Sequence, residues 1–201
     1  MAVSRVKTSS VLQGFPKSRS LLTGNTAYDP GAFVSIASNT GPIGNGITFN
    51  SIPQTYVALQ LRFNNVRMAS GYGTNKNLRL RFNNSSTQSQ YASHYLNGPG
   101  SGTQVGSYVN DGVSTGIFLY GGVAAAGATY GGCGIIDIHN YTSTTQNKTV
   151  RAFSGNDQNG SGDVALASGL WMVTSAITRI DVTVAGYADT GTIELYGIKG
   201  A

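Results

Sequence analysis

Leu78-Arg79-Leu80-Arg81-Phe82 alternates apolar and polar side chains without a fault, and Asn83-Asn84-Ser85-Ser86 ends the run. Successive side chains of a strand point to opposite faces, so Leu78, Leu80 and Phe82 share one face and Arg79 and Arg81 the other. The pattern predicts a strand with one buried face. The same period recurs on both sides of it. Upstream, Val57, Leu59, Leu61 and Phe63 are expected to face one way and Ala58, Gln60 and Arg62 the other. Ile47-Thr48-Phe49-Asn50 and Ala32 to Ala37 make two earlier strands, separated by a Gly/Asn-rich turn from Asn39 to Gly46.

Downstream, strands are expected at Tyr91 to Leu96, Ile117 to Tyr120, Ile135 to His139, Lys148 to Ser154 and Val164 to Val173. Two more are expected at Ile177 to Ala185 and Gly191 to Ile198. Asn97 to Gly106 reads as a loop, Gly121 to Gly134 as a stretch of small residues, and Gly155 to Gly162 as a polar turn. Nine to eleven short strands joined by Gly/Asn turns, with no convincing helix, predict an antiparallel sandwich or barrel. Composition agrees. Only 10% of the 201 residues are charged, 28 are Gly, and 40% are hydrophobic. Exposed helix faces usually carry more charge, and disordered chains carry less apolar material.

Residues 1–32 are expected to form an extended arm outside the sandwich of residues 33–201. Arg5, Lys7, Lys17 and Arg19 precede the first acid, Asp29, so nine basic residues (13 − 4) face eight acidic ones in the rest of the chain. The net charge of +5 therefore belongs mainly to the arm. A nucleic-acid domain would gather its basic residues on a folded face beside aromatics, so no nucleic-acid partner is expected. Arg5, Lys7, Val11, Leu12, Phe15, Pro16, Lys17 and Arg19 are the candidate docking residues of the arm, with Pro16 breaking any regular element. No stretch has the length and apolarity of a membrane span, and the start lacks the apolar core of a signal peptide. Synthesis in a cytoplasm is expected, with release by lysis as part of an assembly.

The chemistry-bearing residues are few. His94 and His139 lie on expected strands near Tyr residues, where structural roles are commoner than catalysis. Cys133, the lone cysteine, sits in Gly131-Gly132-Cys133-Gly134 and is expected to be a small buried residue. No Gly-x-Ser-x-Gly elbow, zinc spacing or phosphate-cradling Gly-rich loop occurs, so no catalytic residue and no cofactor is assigned. Asp157-Gln158-Asn159-Gly160-Ser161-Gly162-Asp163 places oxygen side chains at alternate positions, which makes Asp157, Asn159 and Asp163 a calcium candidate. Ser168 stands where a closing Glu belongs, and a polar turn is the preferred reading. Tyr72, Tyr108, Tyr130 and Tyr187, with Tyr28, fall in or beside turn-like stretches. There they suit a subunit interface or, second, a glycan platform.

Several segments carry a family resemblance. Ser4-Arg5-Val6-Lys7-Thr8-Ser9-Ser10-Val11-Leu12-Gln13-Gly14-Phe15-Pro16-Lys17 resembles the leader of a group of phage virion proteins, known from phages of cyanobacteria and other aquatic bacteria. In the body, the similar segments are Ile47-Thr48-Phe49, Ile52-Pro53 to Thr55-Tyr56, Leu80-Arg81-Phe82-Asn83, Asn140-Tyr141-Thr142-Ser143-Thr144-Thr145 with Lys148-Thr149-Val150, Gly169-Leu170-Trp171, and Leu195-Tyr196-Gly197-Ile198. The resemblance implies a jelly-roll-like sandwich and a non-enzymatic structural role on the virion surface, as tail fibre, appendage or head decoration. It implies other virion proteins (capsid, portal-proximal or tail) as partners. By analogy with virion appendages it implies a homotrimer, with a host surface glycan as the alternative ligand.

Overall fold

The computed structural model describes residues 31–71, 77–99, 104–109, 116–157 and 162–200. They form an all-β, jelly-roll-like sandwich: one antiparallel sheet that curls over on itself. Its strands are β1 (Phe33–Thr40), β2 (Gly44–Phe49), β3 (Ala58–Met68), β4 (Leu78–Phe82), β5 (Tyr91–Gly98), β6 (Gln104–Val109), β7 (Ile117–Leu119), β8 (Gly132–His139), β9 (Lys148–Asp157), β10 (Gly162–Trp171) and β11 (Ile180–Ile198). One 3₁₀ turn, Gln88–Gln90, precedes β5.

The strand order is β6-β5-β10-β9-β8-β3-β11-β4-β7, and β1 and β2 add to β11. The 19-residue β11 is the hinge of the architecture. Its first part, Ile180 to Val184, pairs with β2 and β4; its second part, Thr192 to Ile198, pairs with β1 and β3. The register slips between Thr183 and Ala188 and again towards Thr192, and Gly186 (φ 133°) and Gly191 (φ 146°) adopt backbone that L side chains rarely take. These breaks turn the strand from one layer into the other. The broad layer is β1-β11-β3-β8-β9-β10-β5-β6, and β2-β11-β4-β7 folds over it, with β7 packed on β5 and β10.

Four sequence expectations are corrected. Ile177 to Ala185 and Gly191 to Ile198 are not separate strands, because β11 runs through the intervening glycines. Asn97 to Gly106 is not one loop: β5 extends to Gly98, and Gln104 begins β6, whose Gly106 leaves room for the Tyr95 ring. Gly155 to Gly162 is not all turn, since β9 continues to Asp157 and pairs it with Gly162. Val57 is exposed ahead of β3 and does not share the buried face of Leu59, Leu61 and Phe63.

The core lies between the layers: Leu59, Leu61, Phe82, Tyr91, Trp171, Ile180 and Leu195 are all sealed from solvent. The segments that carry the resemblance turn out to be clasps around it. Tyr141 Oη donates to Pro53 O (2.6 Å) and accepts from the Tyr56 amide (3.1 Å), tying the Asn-Tyr-Thr segment to the Ile52-Pro53 corner. Asn83, at φ 51°, accepts from the amides of Thr178 and Arg179 and donates to Ala176 O. Gly169 lies against Ile117 and Gly197 against the Tyr56 ring, so a Cβ at either would overlap its neighbour. The buried Lys148 ammonium donates to Ser143 O (2.6 Å), Gln146 O (2.8 Å) and Thr174 O (2.6 Å), with Val173 O at 3.5 Å.

Burial pushes the Tyr91 and Tyr141 phenols above the usual value and pushes the Lys148 ammonium below its own. A phenol raised in the folded state contributes stability that is whole below the unfolded value of about 10 and is lost as pH climbs through the folded value. Lys148 runs the other way, because its burial cost fades as it deprotonates. The Tyr91 and Tyr141 phenols are therefore expected to cost the fold stability above pH of about 10. Phenolate absorbance from the buried pair should appear in step with the loss of the β circular-dichroism signal.

Candidate interaction face

The inner and outer faces of the broad layer follow from strand parity. On β8, Ile136 and Ile138 point in, so Cys133, Ile135 and Asp137 point out. On β9, Lys148, Val150, Ala152 and Ser154 point in, and Arg151 and Phe153 point out. On β10, Ala165, Ala167 and Trp171 point in, and Val164, Leu166 and Ser168 point out. Cys133 is therefore exposed, contrary to the sequence expectation.

Register then lines up large apolar side chains across five strands. Ile135 pairs with Phe153, Phe153 with Leu166, Leu166 with Leu96, and Leu96 with Val105. Val164 stands one pleat away. These six side chains are between 43% (Leu96) and 76% (Val105) exposed. Scattered exposed apolar residues are ordinary, but a continuous row across a sheet is not.

Gly155, facing out between Cys133 and Val164, leaves a shallow groove of about 410 Å³ walled by Ile135, Phe153 and Val164. A polar row, Asp137-Arg151-Ser168-His94, runs alongside. In it Arg151 bridges to Asp137 at 3.2 Å, and Gln60 donates to the same carboxylate at 2.8 Å. At the β3 end the Arg62 guanidinium lies 4.7 Å from the ring centres of both Phe33 and Tyr196. Phe33 opens β1, so the chain enters the body on this same face.

The residues singled out in the sequence are distributed differently. Arg5, Lys7, Val11, Leu12, Phe15, Pro16, Lys17, Arg19, Tyr28, Tyr72 and Asn159 lie outside the described residues. Tyr108 is on β6 opposite Ser93. Tyr130 is exposed ahead of β8, and Tyr187 sits at the bend of β11 with its ring beside Gly44. Asp157 ends β9, while Asp163 is turned inward, its carboxylate 3.4 Å from the side-chain nitrogens of Asn97 and Asn156. Asp163 is thus committed to the interior of the sandwich.

Acids elsewhere are also engaged: Asp181 with Arg179 and Thr48, Asp189 with Arg67, and Glu194 with the Tyr196 hydroxyl. No three His, Cys, Asp or Glu side chains gather into a metal-holding group among the described residues. His94 and His139 both face outward on the broad layer, on β5 and β8. The chain matches no family model, no curated protein and no solved structure.

Proposed function

We propose that this chain is a non-enzymatic structural protein of a phage particle, displayed on the surface as a fibre, appendage or head decoration, and held there by the arm of residues 1–32. The observation that carries the reading is the apolar row from Ile135 to Val105, which with Val164 gathers six of the eleven large apolar side chains exposed among the described residues, and which no other described residue covers. Such a face suits a subunit that works inside an assembly. The clasps add support. The body segments that resemble virion proteins lie at Tyr141, Lys148, Asn83, Gly169 and Gly197, positions that brace the sandwich. Phe33, the first residue of β1, lies against Arg62 on the same outward face of the broad layer.

The test is incorporation. Among the described residues the core and the side chains packed on it run from Ile36 to Leu195, and a chain lacking residues 1–30 is expected to stay folded and soluble. It should be absent from purified particles that carry the full chain. Normal incorporation of the shortened chain would refute the anchoring role. The glycan reading draws on exposed Tyr130, and a glycan array that lights up with the full chain would favour it.

A further inference from the structure

We infer that the outer face of the broad layer is closed by a second copy of this chain, with the Ile135-Phe153-Leu166-Leu96-Val105 row at the centre of the contact. The inference deepens the assembly reading above, and rests on it only in treating the apolar face as a contact surface.

The first argument is area. Six large apolar side chains, each showing about half of a surface of roughly 200 Å², present on the order of 600 Å² of apolar surface, at the top of what a lone monomer exposes. A stable interface takes about 800 Å² from each partner and is about 65% apolar at its core and between identical subunits. The row supplies the apolar share, and the flanking polar row supplies the rest.

The second argument is charge. Among the described residues the face carries Arg62 and Arg151 against Asp137 and Glu194, two of each sign. A strongly acidic or strongly basic partner would gain nothing from that balance. A surface with the same balance meets it without net repulsion, and the surface certain to have it is this one. Asp137 and Arg151 stand side by side, so two copies packed across a two-fold axis can exchange the pair, each Arg151 meeting the other copy's carboxylate. The third is shape. Gly155 leaves a slot between Phe153 and Val164 that a protruding apolar side chain of the facing copy can enter. Copies joined this way would also bring several arms to one docking surface, multiplying their grip without new contacts.

Cys133 lines the groove and is the only cysteine, so its thiol reports whether the face is covered. The experiment uses the full chain and two variants, Leu166→Asp and Phe153→Asp. Both positions are half-exposed in the single copy, so each variant should keep the wild-type circular-dichroism spectrum. At high micromolar concentration the wild type should run as a multiple of the chain mass by light scattering. Its thiol should react with a maleimide about tenfold more slowly than in the variants, which should be monomeric.

A monomeric wild type overturns the inference. So does a multimer that both variants leave intact, which would place the contact elsewhere. A monomer whose thiol is nevertheless slow would show that the chain covers its own face. None of these outcomes bears on whether residues 1–30 are needed for incorporation, so the two readings fail separately.

Discussion

Replacing Lys148 with alanine should lower the unfolding free energy by about 3 kcal/mol, the order of one to two hydrogen bonds to a charged group. Lys148 is fully buried at the start of β9, yet no carboxylate is among its described hydrogen-bond partners. Its charge is met by main-chain carbonyls from two separate loops, Ser143 and Gln146 before β9 and Val173 and Thr174 after β10. Without the ammonium those part-buried contacts leave the oxygens without that donor. An unsatisfied buried acceptor costs about 1–3 kcal/mol. Lys148→Met separates the two contributions, because it keeps most of the apolar stem and removes only the donors. If the carbonyls matter most, the methionine variant loses nearly as much as the alanine. A loss under about 1 kcal/mol in both would mean that water replaces the ammonium and that the clasp is ornamental. For a domain of this size the expected loss amounts to a fall on the order of 10 °C in Tm.

The legible part of the fold was the part in which one face is large and apolar and the other polar. Leu78–Phe82 is a strand with the predicted limits, and Leu78, Leu80 and Phe82 are buried as the alternation requires. Elsewhere the period of two was present but pointed at the wrong conclusion or at none. In the middle of β9 and β10 the inward positions include the small Ala152, Ala165, Ala167 and Gly169, and the larger Phe153, Val164 and Leu166 face out. A reading by size would have turned these strands inside out. The small residues face in because β7 lies close over them, with Ile117 against Gly169. The outer face was therefore invisible as a site, although its signal exists: strands with apolar residues of two sizes on the two parities. Cys133 misleads for a related reason: its neighbourhood of glycines suggests tight burial, while its parity with Ile135 and Asp137 puts it outside. The continuity of β11 could not be read from pattern, because Gly186 and Gly191 look like turn residues and instead let a single strand pass between layers. Of the candidate site residues, the tyrosines stand in turn-like surroundings, a signal of exposure that carries no information on proximity.

The second large effect is expected at Trp171, the only tryptophan. It ends β10 in the broad layer and reaches the ring of Phe82 on β4 in the other, with centroids 5.5 Å apart and planes tilted by 56°. Tyr91, on β5, stacks on it at 6.5 Å, and the Tyr91 hydroxyl accepts from the Phe82 amide, so the three rings lock both layers at one end. Trp171→Ala empties the middle of that stack and should cost about 3–5 kcal/mol. Trp171→Phe should behave quite differently from what its loss of volume suggests. The indole N–H is buried and has no acceptor among the described residues. A phenyl ring keeps the contacts with Phe82 and Tyr91 and removes that donor, whose burial is itself a penalty of about 1–3 kcal/mol. The gain offsets most of the cavity left by the smaller ring, and the phenylalanine variant should lie within about 1 kcal/mol of the wild type. Urea unfolding followed by circular dichroism measures both, since neither variant keeps a tryptophan for fluorescence. If phenylalanine costs as much as alanine, the indole nitrogen is holding a partner beyond the described residues, and Trp171 is braced by a hydrogen bond as well as by its neighbours' rings.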